Sequence, residues 1–232
     1  MNNKPSLKRT AHFTGILYFI LAVIGAINLE YIPSQVTVSG DAEATCRNIL
    51  SHESLYRFGL ALSMMNNFLY ILLALMFYRL FKNVDRSWAI LLVILVLVQV
   101  PISFIFDTLD ITALMILKGD ILKGLDISKA QEYATLLRRI NSNGTQMSQI
   151  FWGLWLVPMG VLIYRSKFIA RFVGVLVLIT AVAYTFNCFV FILIPQYQEL
   201  IGKFVFPLFI GELAIVFWLL LKGVKKEYAK VL

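Results

Sequence analysis

One carboxylate interrupts an apolar run near the C-terminus. In FPLFIGELAIVFWLLLKGVKK, Glu212 follows Pro207 and Gly211, and nothing polar appears after it until Lys222. An acid at the centre of a membrane helix is costly: insertion scales put an aspartate there at about 2.5–3.5 kcal/mol, and a glutamate should be similar. Three chemistries relieve that cost. The group can take a proton, since burial disfavours the charged form. It can accept hydrogen bonds from neighbouring amides. Or it can pair with a cation, its own or a ligand's. Pro207 removes a backbone donor and bends a helix, and Gly211 lets a neighbouring backbone come close. These three residues make the segment a candidate binding site for a small amphiphile or ion.

The other polar residues inside apolar runs fall at comparable depths. Counted at about 1.5 Å per residue from the basic residue at its helix end, Glu212 lies about 15 Å in. The same count places Asn66 and Asn67 at about 18–20 Å and Gln99 at about 20 Å. Tyr184 and Asn187 fall at about 20–24 Å and Gln149 at about 24 Å. Lipid cannot satisfy such groups, so they should face a bundle interior or a wet cavity. Glu212, Asn66, Asn67, Gln99, Tyr184, Asn187 and Gln149 are therefore the candidate ligand-binding residues. Arg57, at the outer end of its helix, is the nearest candidate cation, and reaching Glu212 would need a deep dip or bridging water.

The elements that carry these residues are membrane helices. The 232 residues are 59% hydrophobic and only 15% charged, with mean hydropathy +0.79. Soluble domains run near 45–50% and 25%. A membrane span needs about 20 mostly apolar residues. Six stretches qualify: Phe13 to Leu29, Phe58 to Tyr78, Trp88 to Phe106 with a helical extension toward Leu117, Thr145 to Tyr164, Phe172 to Ile194, and Phe204 to Leu221. The first follows basic residues but lacks a small-x-small cleavage site, so it reads as a retained span. The expected fold is all-α: a polytopic integral membrane protein, one domain over residues 1–232, with six transmembrane helices and short helices in its two long outer loops.

Charge orients it. With both termini cytoplasmic, the inner segments hold 13 basic residues against two acids, Asp85 and Glu227. Lys4, Lys225, Lys226 and Lys230 are among the 13. That bias follows the positive-inside rule. The net charge of +8 is spread between spans rather than gathered in a patch, which argues against nucleic acid. The partner is the lipid bilayer.

In the first outer loop, Ser39-Gly40-Asp41 predicts the start of a helix over 42–50, and Ser51 a cap for the second span with Glu53 in its first turn. In the second, Ser128 and Gln131 make a capping-box pattern. Tyr133, Leu136, Leu137 and Ile140 repeat at helical spacing, and this helix should be a lid lying on the bundle or the interface, or else a cover over a pocket open to the outside. Asn143-Gly144 predicts a break before the fourth span. Asp107 and Asp110, one turn apart, are expected to be solvated at an outer boundary. Cys46, His52, Asp41 and Glu43 match no zinc spacing. There is no P-loop, dinucleotide fingerprint or nucleophile elbow, and no cofactor is specified.

Four stretches, RTAHFTGILY, GDAEATCRNILSHESLYRFG, LIYRSKFIARFVGVL and FIGELAIVFWLLLKGV, resemble a bacterial membrane family known as domain of unknown function 4386. The resemblance implies a multipass protein of the bacterial inner membrane and carries over no substrate, cofactor or catalytic residue. Three function classes remain open: binding, sensing or transport of a small amphiphile or ion around Glu212; an intramembrane enzyme acting on a lipid-like substrate; and a structural or accessory subunit. An enzyme needs a second reactive group near Glu212, and the depth count supplies amides instead.

Overall fold

The computed structural model describes residues 7–224. Lys4, Lys225, Lys226, Glu227 and Lys230, which enter the charge count above, lie outside them. Every regular element among the described residues is helical. Helices satisfy all their backbone groups internally, the requirement lipid imposes on a spanning segment. Six helical stretches are long and apolar enough to cross a membrane: Leu7–Val36, Glu53–Phe81, Arg86–Leu117, Ile127–Ser166, Arg171–Leu193 and Pro195–Leu221. The chain is a multipass membrane protein and its environment is a lipid bilayer.

The first stretch is α1 (Leu7–Ala26), a π-helical turn over Ile27–Tyr31, and α2 (Ile32–Val36). Helix α3 (Ala42–Ser51) follows, with Asp41 as N-cap accepting from the Ala44 N–H at 2.8 Å. Ser51 does not cap the next helix as expected. It ends α3, and its hydroxyl donates to the Asn48 carbonyl at 3.0 Å, which settles that helix's C-terminus instead. Glu53 opens α4 (Glu53–Phe81) in the predicted first turn. Helix α5 (Arg86–Leu117) runs past Asp107 to Leu117 as the sequence suggested, with Pro101 inside it.

Helix α6 (Ile127–Ser166) departs most from expectation. It is continuous over 40 residues, about 60 Å of helix, so the amphipathic outer segment and the fourth span are one element. Asp126, not Ser128, is its N-terminal acceptor, taking the Lys129 N–H at 2.8 Å. No break occurs at Asn143-Gly144. A Cβ on Gly144 would stand 2.3 Å from the Phe106 ring, so this glycine serves close packing of α6 on α5 rather than a turn. The predicted apolar face is mostly the outward one. Tyr133, Leu136 and Ile140 are 45–53% exposed, while Ala134 is fully buried. Leu137, on the same predicted face, is half-buried.

Helix α7 (Arg171–Leu193) ends before Pro195. The last stretch is bent: α8 (Gln198–Val205), a 3-10 turn over Phe206–Phe209, and α9 (Ile210–Leu221). Pro207 lies in that turn, where it cannot supply a backbone donor.

The chain condenses into two compact units. One draws on the chain up to Ile20, on Leu69–Gln99 and on the chain from Gln146 onward; the other on Leu21–Phe68 and Val100–Thr145. Helices α1, α4, α5 and α6 each contribute to both. The first unit has an aromatic core. Tyr18 packs edge-on against Phe77 at 5.8 Å and against Trp155 at 5.9 Å, Phe77 stacks on Phe81 at 6.0 Å, and Phe81 on Phe168 at 5.7 Å. The second unit centres on Val36, Ile49, Tyr56 and Leu114.

Candidate functional site

Within the first unit, helix α7 turns a polar stripe toward the bent last stretch. Thr180, Tyr184 and Asn187 stand at i, i+4 and i+7, one face of a helix. Each meets a different part of its neighbour. The Thr180 hydroxyl donates to the Leu208 carbonyl at 2.7 Å and accepts from the Gly211 N–H at 3.1 Å. The Tyr184 hydroxyl donates to Glu212 Oε2 at 2.8 Å. Asn187 Oδ1 accepts from Gln198 Nε2 at 3.3 Å. Gly211 makes this approach possible: a Cβ there would lie 2.3 Å from the Leu176 carbonyl oxygen and 2.4 Å from Thr180 Oγ1.

The second oxygen of Glu212 is held from α1. The Tyr18 hydroxyl donates to Oε1 at 2.6 Å. Both carboxyl oxygens thus accept from phenols. Among the described ion pairs none involves Glu212. The residue is half-buried, as are Tyr184 and Tyr70, whereas Tyr18 is 2% exposed.

Aromatic rings pack against the two phenol partners of Glu212. Tyr184 stacks on Phe209 at 4.3 Å and meets Trp152 edge-on at 5.7 Å. Trp155 packs against Tyr18 and, at 5.1 Å, against Tyr70. The Tyr70 hydroxyl faces Gln99 and Trp155. A carboxylate among aromatic faces can receive a cation, exchange a proton, or fasten three helices together.

The predicted candidates separate into groups. Tyr184 sits on Glu212 and Gln99 lies beside Tyr70. Asn187 and Gln149 bond each other, Nδ2 to Oε1 at 2.7 Å, and Gln149 in turn donates to Gln146. Asn66 and Asn67 belong to the second unit. There, Asp107 accepts from Ser63 at 2.8 Å and from Asn67 at 3.5 Å, and Asp110 accepts from Asn141 at 3.0 Å. The two aspartates are therefore half-buried acceptors and not the solvated pair expected. Helix α6 runs on unbroken and brings Asn141 to them, and it also bonds the Phe106 carbonyl at 2.9 Å. Arg57 is engaged by Glu53 at 2.7 Å, which Lys118 also meets at 2.8 Å.

The depth count overlooked Tyr18, Tyr70 and Trp155 because, Tyr184 apart, it was applied to amides and acids. Counted from Arg9, Arg79 and Arg165, they lie about 14–15 Å in, level with the same count for Glu212. The signal was present in the aromatics.

Residues 13–223 match the family described as domain of unknown function (DUF4386). The chain belongs to the DUF4386 family. No curated protein and no solved structure matches it. The DUF4386 match covers every residue of the Glu212 cluster, from Tyr18 on the first span to Glu212 on the last. Family membership and six spanning helices agree on a multipass membrane protein.

Proposed function

We propose that this DUF4386 protein binds a small amphiphile or ion at the Glu212 cluster, as a sensor or carrier in the bacterial inner membrane with both termini cytoplasmic. The observation that carries the reading is the pairing of Glu212 with Tyr18 and Tyr184 inside a spanning helix, where the acid meets no protein cation among the described ion pairs. An ionisable group at such a depth is a functional site by default. A bent helix with irregular backbone beside it is the usual construction of intramembrane sites. The inner-membrane placement and orientation rest on the excess of basic residues in alternate short loops.

The test is to purify the wild type and Glu212→Gln in mild detergent and identify co-purifying small molecules by mass spectrometry. A compound retained by the wild type and absent from Glu212→Gln supports the reading. Identical profiles from two equally well-folded preparations overturn it.

A further inference from the structure

We infer that the ligand class of the Glu212 cluster is a lipophilic organic cation: an alkyl- or aryl-substituted ammonium or phosphonium. This rests on the proposed site and adds the charge and shape of what fills it. The argument begins with the mismatch between Glu212 and its surroundings. Its two partners are phenols, which donate hydrogen bonds but carry no compensating charge. The rings around it supply what a bulky cation needs. Tyr18, Trp155 and Tyr70 form one aromatic group and Trp152, Tyr184 and Phe209 another, with ring spacings of 4.3 to 5.9 Å, and Glu212 joins the two through Tyr18 and Tyr184. Aromatic faces attract cations through the ring quadrupole, most strongly where water is excluded, and aromatic clusters are a recurrent means of recognising quaternary ammonium groups.

The same chemistry discriminates. An inorganic cation keeps its hydration shell or demands several oxygen ligands, and no group of three His, Cys, Asp or Glu side chains among the described residues could hold a metal ion. An anion meets the acid and the negative faces of the rings. A lipophilic cation loses little hydration on entering, and one carboxylate neutralises it. Tyr184 also has a second hydrogen-bonding mode, since its hydroxyl can accept once a cation takes over the carboxylate.

The experiment compares tetraphenylphosphonium with tetraphenylborate, which share shape and differ in charge. A smaller cation, benzyltrimethylammonium, is titrated in parallel. Binding to the full-length protein in detergent is followed by tryptophan fluorescence and calorimetry. The expected result is saturable binding of at least one cation, at least tenfold weaker in Glu212→Gln, with tetraphenylborate at least tenfold weaker on the unmodified protein. The probe comparison requires no variant and so survives a misfolded Glu212→Gln. Tetraphenylborate binding as tightly as tetraphenylphosphonium, or neither cation binding, overturns the inference. If tetraphenylborate binds and is lost in Glu212→Gln, the site stands and its charge class falls. If no probe and no co-purified compound depends on Glu212, both readings fall.

Discussion

The Thr180 hydroxyl on α7 donates to the Leu208 carbonyl in the 3-10 turn at 2.7 Å, and the same oxygen accepts the Gly211 N–H of α9 at 3.1 Å. A 3-10 turn inside a spanning stretch leaves backbone groups without their helical partners, and lipid offers none. One side chain supplies both a donor and an acceptor at that place. Thr180 is fully buried, so water cannot substitute for it. Thr180→Val keeps the shape and removes both bonds. It should destabilise the protein by about 1–3 kcal/mol, the cost of buried groups left unsatisfied. Thr180→Ser should recover most of that. Denaturation midpoints of the three proteins in one detergent check this, and a Val variant as stable as wild type would show that the turn satisfies itself.

Gly211 gives a second, sharper prediction. A methyl at this position meets the backbone oxygen of Leu176 at 2.3 Å, and backbone cannot move aside as a flexible side chain can. Gly211→Ala should cost about 1–3 kcal/mol through overpacking. Gly202, in α8, has nothing within 4 Å of its missing Cβ. Gly202→Ala should be neutral or stabilising by up to about 1 kcal/mol through helix propensity. Opposite signs for two Gly→Ala changes in one bent stretch identify close packing as the cause, and thermal unfolding of both variants measures it.

The six spans and the bend of the last were legible in the sequence because they depend on local properties. Apolar length marks a span, and Pro207 with Gly211 marks a place where helix and close approach compete. Rotation about each helix axis was not legible. Nothing in the order of residues says that Tyr18 and Glu212, 194 positions apart, share a face, or that Asn67 meets Asp107. The outer half of α6 failed for a different reason. Apolar spacing at Tyr133, Leu136 and Ile140 left bundle, interface and pocket cover open, and spacing alone does not choose among them: these three are exposed while Ala134 is buried. Gly144 was read as a break because glycine usually punctuates, yet its lack of a Cβ is used against Phe106.

The two phenols on Glu212 can be weighed against each other. Tyr18→Phe and Tyr184→Phe each remove one donor to the carboxylate and keep the ring. Each should destabilise by about 1–3 kcal/mol, the cost of a buried acceptor left without its donor. In double-mutant cycles with Glu212→Gln, Tyr18 and Tyr184 should each show coupling of about 0.5–3 kcal/mol. Additive effects throughout would place the tyrosines in the core as rings alone.

The Asn187–Gln149 pair tests the rest of the polar stripe through an asymmetry of hydrogen bonding. Asn187 Nδ2 donates to Gln149 Oε1 at 2.7 Å, and both residues are buried, at 8% and 9% exposure. Replacing one partner strands the other's amide among apolar atoms, and Asn187 also loses its bond from Gln198. Asn187→Leu alone and Gln149→Met alone should each cost about 1–3 kcal/mol. Replacing both removes the stranded groups together, so the double variant should be more stable than the sum of the single losses by at least about 1 kcal/mol. If the pair only fastens α6 to α7, the double variant should also keep Glu212-dependent ligand binding at its wild-type level. Unfolding midpoints and tetraphenylphosphonium titration of the four proteins measure both quantities. Restored stability with lost binding would extend the functional site along α7 from Tyr184 to Asn187.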